Sequence, residues 1–191
     1  MPYKAVVIGA SSGGMNALRT ILPVLPAGFN MPIVIVQHIS ATSNSYWIEM
    51  LNNLCKIHIK EADEKEKIQS GYAYIASPNY HLLIERDETL SLSADKRINF
   101  ARPSIDVLFE SAAEVYKESL VGIILSGANS DGTEGIRRIK EYGGLVIAQD
   151  PATAASAVMP SSAIQKSAVD HILSLQRITE ILMEINKQSQ F

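Results

Sequence analysis

The chain has 191 residues, 47% of them apolar and 19% charged, with a formal net charge of −3 and no cluster of Lys or Arg. This profile suits one globular domain spanning 1–191, and it argues against nucleic-acid or anionic-membrane binding, which need concentrated positive charge. Cys55 is the sole cysteine, so no intramolecular disulfide forms, and no apolar stretch nears the roughly 20 residues of a spanning helix. The start carries no secretory leader pattern, and the expectation is a cytoplasmic protein without membrane insertion.

In chain order, Ala5–Gly9 reads as a buried strand and Met15–Leu25 as the helix after it. Pro32–Gln37 is a second strand, followed by a helix from about Ser43 to Leu54. Lys56–Lys60 alternates polar and apolar residues, the pattern of a half-exposed strand. After the charged connection Glu61–Gln69, the segment Gly71–Glu85 predicts a hairpin around Ser77-Pro-Asn79, and Thr89–Ser93 a further antiparallel strand. Pro103 is placed in the first turn of a helix with apolar Ile105, Leu108, Ala112 and Val115. Strand Leu120–Leu125, helix Gly132–Tyr142, strand Leu145–Ala148 and a helix near Pro160–Lys166 follow. A short strand at His171–Leu173 and a helix to about Asn186 end the pattern. Strands alternating with helices predict an α/β fold: three α/β/α layers, a doubly wound, mostly parallel sheet and an antiparallel hairpin insert.

In such sheets, sites form beyond the carboxyl ends of the strands. Three ends carry chemistry: Gly9-Ala-Ser11-Ser-Gly-Gly14, Gln37-His38, and Ser126-Gly-Ala-Asn-Ser-Asp131-Gly132. Ser11, His38 and Asp131 at neighbouring ends suit a triad, in which imidazole takes the hydroxyl proton and carboxylate fixes its tautomer. The glycines suit a nucleophile on a tight strand-to-helix turn, and the N–H groups of Ser12, Gly13 and Gly14 are expected to face a developing oxyanion.

Each residue has a second reading. The Gly9-x-Ser11-x-Gly13 turn also suits phosphate, His38 a hydrogen-bonded structural role, and Asp131 the N-cap of the following helix. Asp150 ends another strand and is the competing carboxylate. His58, His81 and His171 read as structural or surface residues, and no metal site is expected.

The string Val7-Ile-Gly-Ala-Ser-Ser-Gly-Gly14 resembles the opening of the catalytic domain of chemotaxis protein-glutamate methylesterases, the CheB family. Ile35-Val-Gln-His38, Ala101-Arg-Pro-Ser-Ile-Asp-Val-Leu-Phe109 and Ser126–Gly132 match it too, as do Gly143–Asp150 and Met159-Pro160, in order along almost the whole chain. The resemblance implies hydrolysis of glutamate γ-methyl esters on chemoreceptor signalling helices, with receptor glutamine deamidation as a second reaction. It implies Ser11 as nucleophile, His38 as general base and acid, Asp131 as orienting carboxylate, and no cofactor. It also implies oxyanion or substrate contacts from Ser12, Gly13, Gly14, Ala128, Arg102 and Met159.

Two departures stand out. Ala128-Asn129 replaces the family's usual Met-Gly in the loop whose backbone amide serves the oxyanion. The family's usual phospho-accepting receiver domain has no counterpart in these residues, so the expectation is either a stand-alone esterase controlled otherwise, for instance by a separate signalling regulator, or a domain excised from a longer protein. A nucleotide- or phosphate-binding module and a non-catalytic receptor-binding scaffold are the competing functions.

Overall fold

The computed structural model describes residues 3–39, 46–166 and 169–188. The chain begins β1 (Ala5–Ala10), α1 (Gly14–Ile21), β2 (Ile33–Gln37), α2 (Tyr46–Leu54), β3 (His58–Glu61) and β4 (Tyr72–Ile75). It continues through β5 (His81–Ile84), β6 (Leu90–Ser93), α3 (Ile105–Tyr116), β7 (Leu120–Ile124) and α4 (Thr133–Glu141). β8 (Leu145–Gln149), α5 (Val158–Lys166), β9 (His171–Leu173) and α6 (Leu175–Gln188) complete it. The beginning of the helix expected from Ser43 lies outside the described residues.

Seven strands form a parallel sheet in the order β3-β4-β2-β1-β7-β8-β9. β1, β2 and β7 have every residue buried, as parallel strands covered on both faces require. Their alternate side chains divide between two cores. Val7, Val34 and Val36 pack with Ile105, Phe109 and Ile136, placing α3 and α4 on one face. Val6, Ile8, Ile33 and Ile35 pack with Leu18, Ile21 and Leu182, placing α1 and α6 on the other. The chain runs from β1 to β2 on one side and returns to β7 on the other. This reversal puts the topological switch point at the carboxyl end of β1. No helix among the described residues is long and apolar enough to cross a membrane.

The hairpin insert is present, but its arms differ from the sequence expectation. Tyr72–Ile75 is a buried strand of the parallel sheet, lying between β2 and β3. The antiparallel pair is β5 with β6, from His81 opposite Ser93 to Ile84 opposite Leu90. The turn at Ser77–Asn79, where Asn79 has φ 66°, therefore carries the chain out of the sheet rather than back along it. Pro103 also lies outside its helix. Ser104 is the N-cap, because the N–H groups of Ile105 and Asp106 are already taken by Asp131.

Candidate active site

The first strand delivers Ser11 on a turn shaped by close approach. Ser11 N–H donates to Ser126 O at 2.9 Å, and Gly14 N–H closes the turn on Ser11 O at 2.8 Å. Gly13 has φ 80°, and a Cβ there would lie 2.5 Å from Ala155 Cβ and 2.8 Å from Ser126 Oγ. Only glycine meets both demands. At Gly14 the neighbour is Gln37, whose Nε2 donates to Ser11 O and His38 O, both at 2.9 Å. Gln37 thus pins together the two turns that carry the serine and the histidine. Ser126 ties in the third, donating from Oγ to Ser12 O at 2.6 Å and accepting from Ser156 N at 2.9 Å.

His38 Nε2 lies 2.9 Å from Asp131 Oδ2, with the histidine side chain 14% exposed and the aspartate fully buried. Asp131 does not cap its own helix by side chain; Gly132 is the N-cap of α4. Its carboxylate sits instead at the N-terminus of α3. There Oδ2 accepts from Ile105 N at 2.7 Å, and Oδ1 from Ser104 Oγ at 2.8 Å, Gly132 N at 3.1 Å and Asp106 N at 3.2 Å. Burial raises the pKa of Asp131, but hydrogen bonds from His38, Ile105 N–H and Ser104 outweigh it and hold the carboxyl below its ordinary range. The positive end of α3 acts in the same sense.

An ionised carboxylate only accepts, so the shared proton belongs to His38 Nε2 and the lone pair to Nδ1. Nδ1 faces the cavity wall, where Asn129 Nδ2 approaches to 3.4 Å while Asn129 Oδ1 accepts from Asp131 N at 3.1 Å. Asp150, the rival carboxylate, caps the short turn after β8 by accepting from Ala152 N at 2.9 Å.

A second buried carboxyl adjoins the first. Asp106 accepts from Gly135 N at 2.8 Å and Asn99 Nδ2 at 2.9 Å. Burial raises its pKa against the Gly135 hydrogen bond, the charge of Asp131 adds to the rise, and the value reaches about 7. Two carboxyls at one helix end are thereby driven apart, Asp131 ionised and Asp106 still holding its proton in the mildly acidic range up to about pH 7.

A cavity of about 360 Å³ opens over the strand ends, lined among others by Ser11, His38, Arg97, Phe100, Arg102 and Asn129. Ser11 Oγ makes no hydrogen bond among the described residues, nor do the N–H groups of Ser12, Gly13 and Ala128. Gly14 N–H, expected to face an oxyanion, is spent within the turn. Arg102 donates through Nη1 to Ala94 O and Asp95 O at 2.7 and 2.9 Å, while its Nε is buried without a partner among the described residues. Met159 is fully buried beneath Gly127 and donates its N–H to Gly127 O at 2.9 Å; any part it plays is in holding the 127–129 loop. A wider hollow of about 730 Å³ beside the hairpin is lined among others by Glu64, Lys65, Glu85, Asp87 and Thr89, and holds none of the residues expected to form the triad.

Sequence reasoning missed the parts played by Ser104 and Asp106, whereas His81, read as structural or surface, is a buried structural residue. His81 Nε2 donates to Lys96 O at 3.0 Å and its Nδ1 accepts from Ser104 N at 3.1 Å, so the hairpin steadies the residue that in turn bonds Asp131. The one available signal was Ser104 just ahead of an apolar helical run, an N-cap pattern.

Residues 6–182 match the family model described as CheB methylesterase. A Leptospira interrogans protein provisionally named protein-glutamate methylesterase/protein-glutamine glutaminase is 57% identical over 189 residues, covering 99% of this chain and 98% of that one. A Thermotoga maritima protein-glutamate methylesterase/protein-glutamine glutaminase is 37% identical across 95% of this chain, which spans only 54% of the relative's length. The crystal structure of the Thermotoga maritima CheB methylesterase catalytic domain superimposes with a TM-score of 0.92 at 36% identity, covering 97% of this chain and 100% of that one. The chain belongs to the CheB methylesterase family.

Proposed function

We propose that this chain is a single catalytic domain, working in the cytoplasm, that hydrolyses glutamate γ-methyl esters on chemoreceptor-type proteins. The observation that carries the reading is His38, held through Nε2 by a buried, ionised Asp131, lining the cavity that contains Ser11 with its Nδ1 3.4 Å from Asn129 Nδ2. Ser11 Oγ attacks the ester carbonyl carbon as His38 Nδ1 takes its proton. The imidazolium that forms is stabilised by Asp131 through Nε2–H. Charge on the carbonyl oxygen is met by the uncommitted N–H groups of Ser12, Gly13 and Ala128. Collapse of the adduct breaks the C–O bond; His38 returns the proton to the leaving oxygen, methanol departs, and Ser11 is left acylated. Water, deprotonated by His38, then attacks the acyl carbon and releases a glutamate carboxylate and free Ser11. A primary amide would follow the same path with ammonia as leaving group, which accounts for glutaminase activity at the same site.

Arg102, which lines the cavity, is assigned to substrate contact. Commitment of Gly14 N–H to Ser11 O removes one donor from a phosphate cradle and favours the nucleophile reading of the turn over anion binding. The test is methanol release from a methylated cytoplasmic receptor fragment. Parent protein should release methanol, and Ser11→Ala should lose about five to six orders of magnitude in turnover. A folded Ser11→Ala protein with near-parent turnover would overturn the reading.

A further inference from the structure

We propose that the Ile98–Ala101 turn at the mouth of the cavity docks the protein that carries the ester, with Phe100 as its anchor. The proposal rests on the esterase reading and adds what holds the substrate. Ile98 and Ala101 exchange backbone hydrogen bonds of 3.1 and 2.8 Å across two residues of positive φ, Asn99 at 49° and Phe100 at 64°. Two-residue turns of this kind favour Asn followed by Gly. Asn99 obeys; Phe100 stands where glycine would fit, in a conformation bulky side chains rarely adopt.

Nothing among the described residues repays this, because Phe100 is 96% exposed. The turn is nonetheless braced: Asn99 Nδ2 donates to Asp106 Oδ2 at 2.9 Å, and Arg97 Nη1 to Phe100 O at 3.3 Å. A large aromatic ring in an unfavourable backbone conformation, fixed at the rim and unpacked, is accounted for by a contact outside the chain.

The occupant follows from the location. Phe100 lines the same cavity as Ser11 and His38, so whatever brings an ester to Ser11 passes the ring. A methyl ester on a protein side chain leaves the flanking backbone and neighbouring side chains at that rim. Phe100, with half-exposed Ile98 beside it, offers an apolar side chain of the substrate a surface to cover, while Arg97 and Arg102 lie in the same wall for its carbonyls or carboxylates. The partner is thus a protein segment with an apolar side chain close to the esterified glutamate and polar or acidic groups around it.

Phe100→Gly separates docking from folding, since glycine suits the turn better than phenylalanine does. Two readouts are taken: labelling of Ser11 by a small fluorophosphonate, and methanol release from a methylated cytoplasmic receptor fragment. Labelling rate and melting temperature should hold at or above the parent values. KM for the fragment should rise about 10- to 100-fold, the worth of an aromatic side chain left uncovered, with kcat within about threefold. Phe100→Tyr should restore KM to within about threefold. A Phe100→Gly protein with parent kcat/KM on the fragment overturns the proposal. So does a parallel fall in labelling, which would mean that the turn shapes the site instead of docking the substrate. A parent protein whose Ser11 is not labelled at all refutes the underlying esterase reading instead.

Discussion

Replacing Asp131 by asparagine changes one oxygen for an NH2 group, and the surroundings decide which. Oδ1 accepts from Ser104 Oγ, Gly132 N and Asp106 N, whereas Oδ2 accepts from Ile105 N and His38 Nε2. The amide oxygen satisfies more donors at the Oδ1 position, so the NH2 group faces Ile105 N–H and His38. Ile105 loses its acceptor in a fully buried place, which costs about 1–3 kcal/mol of stability. His38 must then accept at Nε2, its proton moves to Nδ1, and no lone pair is left for Ser11. Comparable tautomer inversions cost about four orders of magnitude in turnover, or about 5.5 kcal/mol of transition-state stabilisation. Methanol release and thermal unfolding measure the two effects separately. Asp150→Asn is the control: among the described residues its carboxylate caps Ala152 alone, and turnover should stay within about threefold. A folded Asp131→Asn protein within tenfold of parent turnover would refute the reasoning.

Three further outcomes are expected. Gly13→Ala forces a side chain onto φ 80° with a Cβ 2.5 Å from Ala155, and should lower stability by about 1–3 kcal/mol in denaturant titration, with turnover falling as Ser11 shifts. Between pH about 4 and about 7 the folded protein keeps a proton on Asp106 that the unfolded chain has released, so this group's contribution to stability falls as pH rises. Asp106→Asn should therefore gain on the parent by on the order of 2–4 kcal/mol between pH 4 and pH 8; equal pH profiles would disprove the assignment. Ala128→Met should alter turnover little, whereas Ala128→Pro removes an uncommitted N–H and should cost about a hundred- to a thousand-fold; full activity in a folded Ala128→Pro protein would place the oxyanion donors elsewhere.

The centre of the parallel sheet was legible because β1, β2 and β7 are short and almost wholly apolar, and helical periodicity follows β1 and β2. Tyr72–Ile75 was misread because Ser77-Pro-Asn79 is a turn in any context. A local pattern states that the chain turns, not whether the next strand pairs with the last. Here β4 is buried between β2 and β3, and β5 leaves to pair with β6.

The placing of Ser11, His38 and Asp131 at one edge of the sheet was legible because each follows a strand, and strand ends converge wherever the sheet is parallel. Their supports were not. Ser104 and Asp106 lie 25–27 residues from Asp131 and reach it only when α3 packs its N-terminus against the end of β7. His81 enters from the hairpin, through Ser104. Asp131 had the signature of a cap for the helix after it, and the structure makes it the acceptor at the start of the helix before it. The same carboxylate that closes α3 orients His38, and no sequence spacing reports that double use.

Most direct of all is the reactivity of Ser11. Incubation of the parent protein with a small fluorophosphonate, followed by peptide mapping, should give one adduct, on Ser11, with parallel loss of methanol release; His38→Ala should slow labelling by several orders of magnitude. No adduct, or an adduct on another serine with methanol release intact, would contradict the account.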